Sequence, residues 1–376
     1  MIITNVKIVT PKKVIKKGYI NIKNDIISSV CSGNYKGKDK DVVDGNGKIA
    51  MPGFIDLHIH GSAGFDFTES SKDEVIKAAR SLYEEGVTSF LATTLTSDKD
   101  SLELACSNIG QAIKEEPSIL GIHLEGPYIS VKYKGAQNEE FIRKPDVAEL
   151  NDLMKVSNNK IKYVTIAPEV EDSEQFIKYA SKKGIVTSAG HSNATFEDVE
   201  KAINLGLTNT THTHNAMSGH HHRNPGVLTA AFYFDKLFCE CICDGIHVCP
   251  NAIKTFYKIV GPDRFMIITD ALKAKHTDID NMKIFGLDCV KKDGAMYLTT
   301  GPLAGSLLSM DKGIRNIKDY TGASLVELAK ISSTNQARCL HLNDRGALEK
   351  GKLADIVLLD ENLYVKDVYK LGKKVY

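Results

Sequence analysis

No apolar run in this chain is long enough to span a bilayer. The longest, such as FMII from Phe265 to Ile268, fall far short of the roughly 20 residues a spanning helix needs. Neither sign of charge dominates: 48 Lys and Arg stand against 47 Asp and Glu, for a net charge of +1. Nothing therefore suggests nucleic acid or an anionic membrane surface as a partner, and an anionic ligand has to be met locally. The N-terminus, MIITNVKIVTPKKVIKKG, is a short alternating segment that turns basic, without the apolar stretch of a signal peptide. The expectation is a soluble, cytoplasmic protein that engages neither nucleic acid nor membrane. Closely paired cysteines are missing outside one stretch, so the eight thiols suit a reducing compartment better than a disulfide framework. The exception is CECIC, where alternation puts Cys239, Cys241 and Cys243 on one face of a strand. Buried small hydrophobes are the reading there, rather than a soft-metal site. Also absent are the glycine fingerprints G-x-G-x-x-G and G-x-x-x-x-G-K-[ST] of nucleotide-binding folds.

What is present, across 376 residues, is alternation on a larger scale. Eight short apolar runs stand out: 54–60, 87–94, 119–125, 161–167, 185–191, 207–212, 237–244 and 265–270. Amphipathic segments fill most of the gaps between them, several opening on Ser, Asp or Asn and closing on Gly as capped helices do. Eight strand-then-helix units fit a (β/α)8 barrel better than an open doubly wound sheet. Residues 1–51 and 346–376 have a different texture, short β-like pieces between turns. They are expected to pair into one small β-sandwich subdomain flanking a barrel at 52–345, with closing helices over about 310–342.

Chemistry in such a barrel belongs at the carboxyl ends of the strands, and the polar residues collect there. The first run ends in His58 and His60, whose spacing directs both imidazoles to one side. The third ends in Glu125, the fifth in His191, the sixth in His212 and the eighth in Asp270. Four imidazoles and two carboxylates converging without a cation would be costly, so His58, His60, Glu125, His191 and His212 are expected to ligate a divalent metal. A nitrogen and oxygen donor set without thiolate suits Zn, Fe, Mn or Co. So many donors exceed one tetrahedral site, which makes two ions bridged by Glu125 plausible as well as one. His123 shares the face of Glu125 but lies deeper, as a supporting or core histidine, and His276 and His341 carry no assignment.

At these residues the chain resembles the amidohydrolase superfamily and, within it, the N-acetylglucosamine-6-phosphate deacetylases. The resemblance runs nearly full length through PGFIDLHIHG, HLEGPYIS with KGAQ, AGHSNAT, THTHNAM, HRNPG, CDGIHV, ITDA, GPLAGS and GKLADIVLLD. The His-x-His element marks the superfamily alone, whereas HLEGP with NAM and DGIHV is specific to the deacetylases. The resemblance implies a metal-dependent hydrolase of linear amide bonds, a homodimer, in amino sugar metabolism. It would convert N-acetylglucosamine 6-phosphate to glucosamine 6-phosphate and acetate, with one or two ions per chain. It makes Asp270 the catalytic acid/base. It places Ala136, Gln137, Asn215, Ala216, Arg223, Asp244, Gly245, Ile246, His247, Leu303, Ala304 and Gly305 along the sugar phosphate site.

Within that frame Arg223 is the local candidate for phosphate, because a planar guanidinium binds its oxygens bidentately, and His247 is assigned to a sugar hydroxyl. Arg223 could serve its own site or a neighbouring subunit's. In TTHTHNAMSGHHHRNPG, His212 is the ligand and His214 is expected in a substrate loop. His220, His221 and His222 are expected to be structural or interfacial, with His222 nearest the phosphate. One departure stands out: Gln137 occupies a position where many relatives have His, and a neutral amide cannot relay a proton. A second ion on His58 and His60 would then take over part of the carbonyl polarisation. The rival readings are a deacetylase for the galactosamine epimer, a dihydroorotase or deaminase, and a non-enzymatic scaffold. Dihydroorotase-like members bridge their metals with a carboxylated lysine, where this chain offers Glu125, and a scaffold would have lost ligands that this chain keeps.

Overall fold

A computed structural model describes residues 1–284 and 286–376. Its centre is a ring of eight parallel strands paired in sequence order. They are β1 (Phe54–Ile59), β2 (Val87–Thr94), β3 (Ile119–Glu125), β4 (Ile161–Ile166), β5 (Val186–Ala189), β6 (Asn209–Thr210), β7 (Phe238–Ile242) and β8 (Phe265–Ile268). Helices cover the outside, so most strand residues on both faces are shielded from water; all eight residues of β2 are buried. That is why the strands read as apolar runs rather than as alternation. The seam between β1 and β8 is closed by the Asp270 N–H donating to the His58 carbonyl at 2.8 Å. Asp56 stitches the same seam, accepting from the Thr269 hydroxyl at 2.6 Å and its N–H at 3.3 Å.

Each strand is followed by a helix before the next begins, or before the C-terminal segment in the last case. In order these are α1 (Lys72–Ser81), α2 (Lys99–Ala112), α3 (Val147–Val156), α4 (Ser173–Lys182), α5 (Phe196–Leu205), α6 (Val227–Tyr233), α7 (Pro250–Val260) and α8 (Met310–Thr321). Their starts are chemically marked: Asp98 accepts from the Ser101 N–H at 2.9 Å, and Thr195 and Asp198 cap one another's N–H groups. α2 buries Leu102, Ala105, Cys106 and Ile109 on one stripe, and burial of Leu102 or Ile109 stabilises the helix on its strand by roughly 1.5–3 kcal/mol each.

Both chain ends enter one separate eight-stranded sheet. Ile356–Leu359 lies antiparallel to Ile49–Pro52, with Val357 opposite Met51, and Ile3, Ile8, Ile20, Ile27 and Leu358 form its own core. Two elements were not anticipated. One is α6, whose sequence VLTAAFY carries no polar cap. The other is an antiparallel meander of Asn281–Ile284, Leu287–Lys292, Ala295–Leu298 and Leu303–Ser306, which brings Leu303, Ala304 and Gly305 to the mouth of the barrel. Among the described residues, no helix is long and apolar enough to cross a membrane.

Candidate active site

The strand ends deliver six side chains to one buried point. His58 lies within β1, His60 just beyond it and Glu125 closes β3. His191, His212 and Asp270 each sit two residues past a strand, with φ of +48°, +28° and +49°. Left-handed backbone at a non-glycine residue costs on the order of 1–3 kcal/mol and persists only where the surroundings over-determine it, commonly at functional sites. Glu125 is followed by Gly126 at φ +82°, where a Cβ would stand 2.1 Å from Thr96 Oγ1, so only glycine lets the chain leave β3 there.

Glu125 is the hub. Its Oε1 lies 3.0 Å from His212 Nε2, 3.2 Å from His191 Nε2 and 3.3 Å from His58 Nε2. Its Oε2 lies 3.3 Å from His60 Nε2 and accepts from Gln137 Nε2 at 3.0 Å. Asp270 Oδ1 stands 3.1 Å from His60 Nε2 and 3.4 Å from His58 Nε2. The donors form two triplets, His58–His60–Glu125 and Glu125–His191–His212, sharing one carboxylate. Burial alone would hold the imidazoles neutral, but Asp270 and Glu125 outweigh it and raise His58 well above its ordinary range and His60 to about 9. Against the same desolvation, the His58 charge and hydrogen bonds from His191 and His212 keep Glu125 well below the usual carboxylate range.

The residues fit metal ions. His58 Nδ1 faces Glu240 Oε2 at 3.2 Å and His191 Nδ1 donates to the Tyr133 carbonyl at 2.8 Å. Those partners leave Nε2 of each ring as the nitrogen aimed at Glu125, free to offer a lone pair once its proton is displaced, and Nε2 faces Nε2 at 3.2 Å in both the His58–His60 and His191–His212 pairs. Ring nitrogens this close to a carboxylate and to each other call for positive charge between them, and a cation displacing the imidazole protons meets that need. No thiol joins the two triplets among the described residues, which suits a hard or borderline divalent ion.

Above this point opens a cavity lined by Ala136, Gln137, Asn215, Ala216, His247 and the meander residues Leu303, Ala304 and Gly305. Leu95 and Leu272 add apolar wall that sequence reading did not single out. Gln137 is pinned: its Oε1 accepts the Thr96 N–H at 2.9 Å, which settles the amide orientation and aims Nε2 at Glu125. Asp244 stands behind His247, its Oδ2 2.6 Å from His247 Nδ1, and its Oδ1 accepts the His247 and Ile246 N–H groups. Asp244, Gly245 and Ile246 are not themselves in the lining, and Ile246 is exposed.

Arg223 lies apart from the cavity, on an exposed turn with His220, His221 and His222. Its guanidinium has no carboxylate partner among the described residues. His214, expected in the substrate loop, is instead packed edge-on against Phe256 at 4.9 Å and lies outside the lining; at φ +90° the backbone turns there. His123 sits beneath the site as expected, between the Leu57 carbonyl at 3.1 Å and Thr165 Oγ1 at 2.8 Å, and burial keeps it neutral.

One functional candidate was missed. Glu240, hidden between Cys239 and Cys241 in β7, has the opposite parity and enters the barrel interior, fully buried. A charged residue inside a strand shielded on both faces was the available signal, since a buried carboxylate needs partners.

Comparison with known proteins agrees with this geometry. Residues 49–375 match the amidohydrolase family. The chain is 39% identical to the N-acetylglucosamine-6-phosphate deacetylase of Lysinibacillus sphaericus over 89% of this chain and 87% of that one. The crystal structure of the Thermotoga maritima N-acetylglucosamine-6-phosphate deacetylase superimposes with a TM-score of 0.91 at 36% identity, covering 100% of this chain and 99% of that one. A mutant of the Mycobacterium smegmatis enzyme in complex with N-acetyl-D-glucosamine-6-phosphate superimposes at 0.94 and 29% identity, over 100% of this chain and 99% of that one.

Proposed function

The chain belongs to the amidohydrolase family and, within it, to the N-acetylglucosamine-6-phosphate deacetylases, and from that premise we propose that it hydrolyses N-acetyl-D-glucosamine 6-phosphate to D-glucosamine 6-phosphate and acetate. The observation that carries this reading is the position of Asp270, whose Oδ1 stands 3.1 Å from His60 at the floor of a cavity that also presents Glu125 and His191. A proton acceptor thus faces the metal-ligand cluster and opens toward the space a substrate would fill.

In this reading His58 and His60 would hold one divalent ion and His191 and His212 another, with Glu125 available to both. When bound, such ions would supply Lewis acidity to the acetyl carbonyl and lower the pKa of a water to about 7. The protein's own part is acid–base and positional. Asp270 takes the proton of the attacking water and returns it to the departing nitrogen, turning a poor amide leaving group into an amine. Gln137 fixes the face that Glu125 presents, and its neutral amide relays no proton. His247, oriented by Asp244, is assigned to a sugar hydroxyl, and Ala136, Asn215, Ala216 and Leu303 to Gly305 wall the ring.

We assign the phosphate to Arg223. Its exposure, its lack of a carboxylate partner among the described residues and its absence from the cavity lining favour delivery to the site of a second copy, in a homodimer. Release of acetate from N-acetylglucosamine 6-phosphate, measured beside its galactosamine epimer, tests the substrate. Preference for the gluco sugar is expected, and equal or greater turnover of the epimer contradicts it.

A further inference from the structure

Glu240 is the one carboxylate among the described residues that touches both metal triplets from beneath. Its Oε1 accepts from Tyr163 Oη at 2.7 Å. Its Oε2 meets His58 Nδ1 at 3.2 Å and accepts the main-chain N–H of His212 at 3.0 Å. No Lys or Arg among the described residues pairs with it, and it is 0% exposed. A carboxylate in that setting stays only because three donors converge on it.

The two triplets are not supported alike. His191 Nδ1 donates to a neutral carbonyl, that of Tyr133, and His212 Nδ1 is buried without a hydrogen-bond partner. Behind His58 stands a full negative charge. Accepting a hydrogen bond from Nδ1–H fixes the His58 tautomer, turns its Nε2 toward His60, Glu125 and Asp270, and makes that nitrogen a stronger metal ligand. The same Oε2 reaches His212 only through its backbone, so the charge acts on the ring of one ligand and merely anchors the other.

We propose that Glu240 is a positioning residue that holds His58 as an Nε2 ligand and thereby sets the occupancy of the ion at His58–His60–Glu125, leaving Glu125–His191–His212 to fill independently. The proposal rests on the two-ion reading above. Its consequence is a graded site, in which the second ion is retained or lost without the first.

Metal-stripped wild type and Glu240→Gln are titrated with Zn2+ by calorimetry, with bound zinc per chain measured by elemental analysis and the thermal midpoint of each metal-free protein recorded. Glutamine keeps an acceptor oxygen for His58 and His212, and its amide can meet the Tyr163 hydroxyl, so the exchange removes the charge with little change of shape. Expected are two zinc ions on wild type, an unchanged metal-free midpoint in the variant, one affinity preserved and the other weakened about 10- to 100-fold. If Glu240→Gln does not fold, Glu240→Asp carries the test: it keeps the charge, shortens its reach to His58, and is expected to show the same selective loss. Two ions bound as tightly as in wild type by the folded variant overturn the proposal, as does equal weakening of both ions with a lowered metal-free midpoint. A wild-type protein that takes only one ion instead overturns the two-ion reading, and the proposal with it.

Discussion

Asp270 Oδ1 stands 3.1 Å from His60 Nε2, joining a residue two past the last barrel strand to the one that follows the first. The contact exists because the seam is closed by main chain, with the Asp270 N–H on the His58 carbonyl, so the carboxylate is held in place rather than hung from a mobile loop. Asp270→Asn preserves the shape and removes the proton acceptor. Turnover should fall by about 10²–10⁴ while the dissociation constant for substrate changes by no more than a few-fold; steady-state kinetics beside direct binding measures both. Activity within a few-fold of wild type would reassign the base.

Gln137 occupies two buried partners at once, the Thr96 N–H and Glu125 Oε2. Gln137→Ala strands both, which should lower stability by about 1–3 kcal/mol in denaturant unfolding and reduce metal bound per chain. Full metal content in a destabilised variant would show that Gln137 supports the loop without orienting Glu125.

If Arg223 acts across a dimer, two defective proteins can complement. Arg223→Ala and Asp270→Asn, each weakly active alone, should regain activity after mixing and subunit exchange. One site of the hybrid then combines an intact Asp270 with an intact Arg223 from its neighbour. No recovery despite demonstrated exchange would place Arg223 in its own subunit's site.

His276 offers a pH test away from the metal ligands. It is exposed beside Ser62, with Lys275 and Glu85 among the charges around it. Partial desolvation of the ring lowers its pKa from the ordinary value despite the opposing pull of Glu85. Above about 6.5 the ring is neutral in both states and contributes no slope; as pH falls through that value the unfolded chain takes a proton that the native ring resists, so stability is lost. His276→Asn should lose less stability than wild type between about pH 7.5 and 5, read by denaturant titration at each pH. Parallel curves would contradict the assignment.

Much of the fold was legible because burial on both faces writes barrel strands as apolar runs, and because polar residues at their carboxyl ends have few structural reasons to be there. The strands and the six clustered side chains follow from that pattern. The meander at 281–306 was passed over although Asp293 and Gly294, at φ +49° and +86°, form the two-residue Asp-Gly turn that marks a hairpin; its strands are too short for periodicity to show. α6 follows Gly226 and lacks the polar caps that marked several of the other helices. Glu240 was obscured by the cysteines on either side, whose shared face drew attention from the interior face between them. His214 cannot be told from His212 by sequence spacing, because the left-handed turns that separate their directions are not encoded in residue type.

Hydrolysis by this site requires divalent metal held at Glu125. Acetate release from N-acetylglucosamine 6-phosphate is measured on wild type before stripping with chelator, after it, and after adding back Zn2+ or Mn2+, with Glu125→Ala in parallel. Loss of activity on stripping, recovery on addition, and no recovery in the variant are the predicted results. Undiminished acetate release from fully stripped protein, or from Glu125→Ala, would contradict the account.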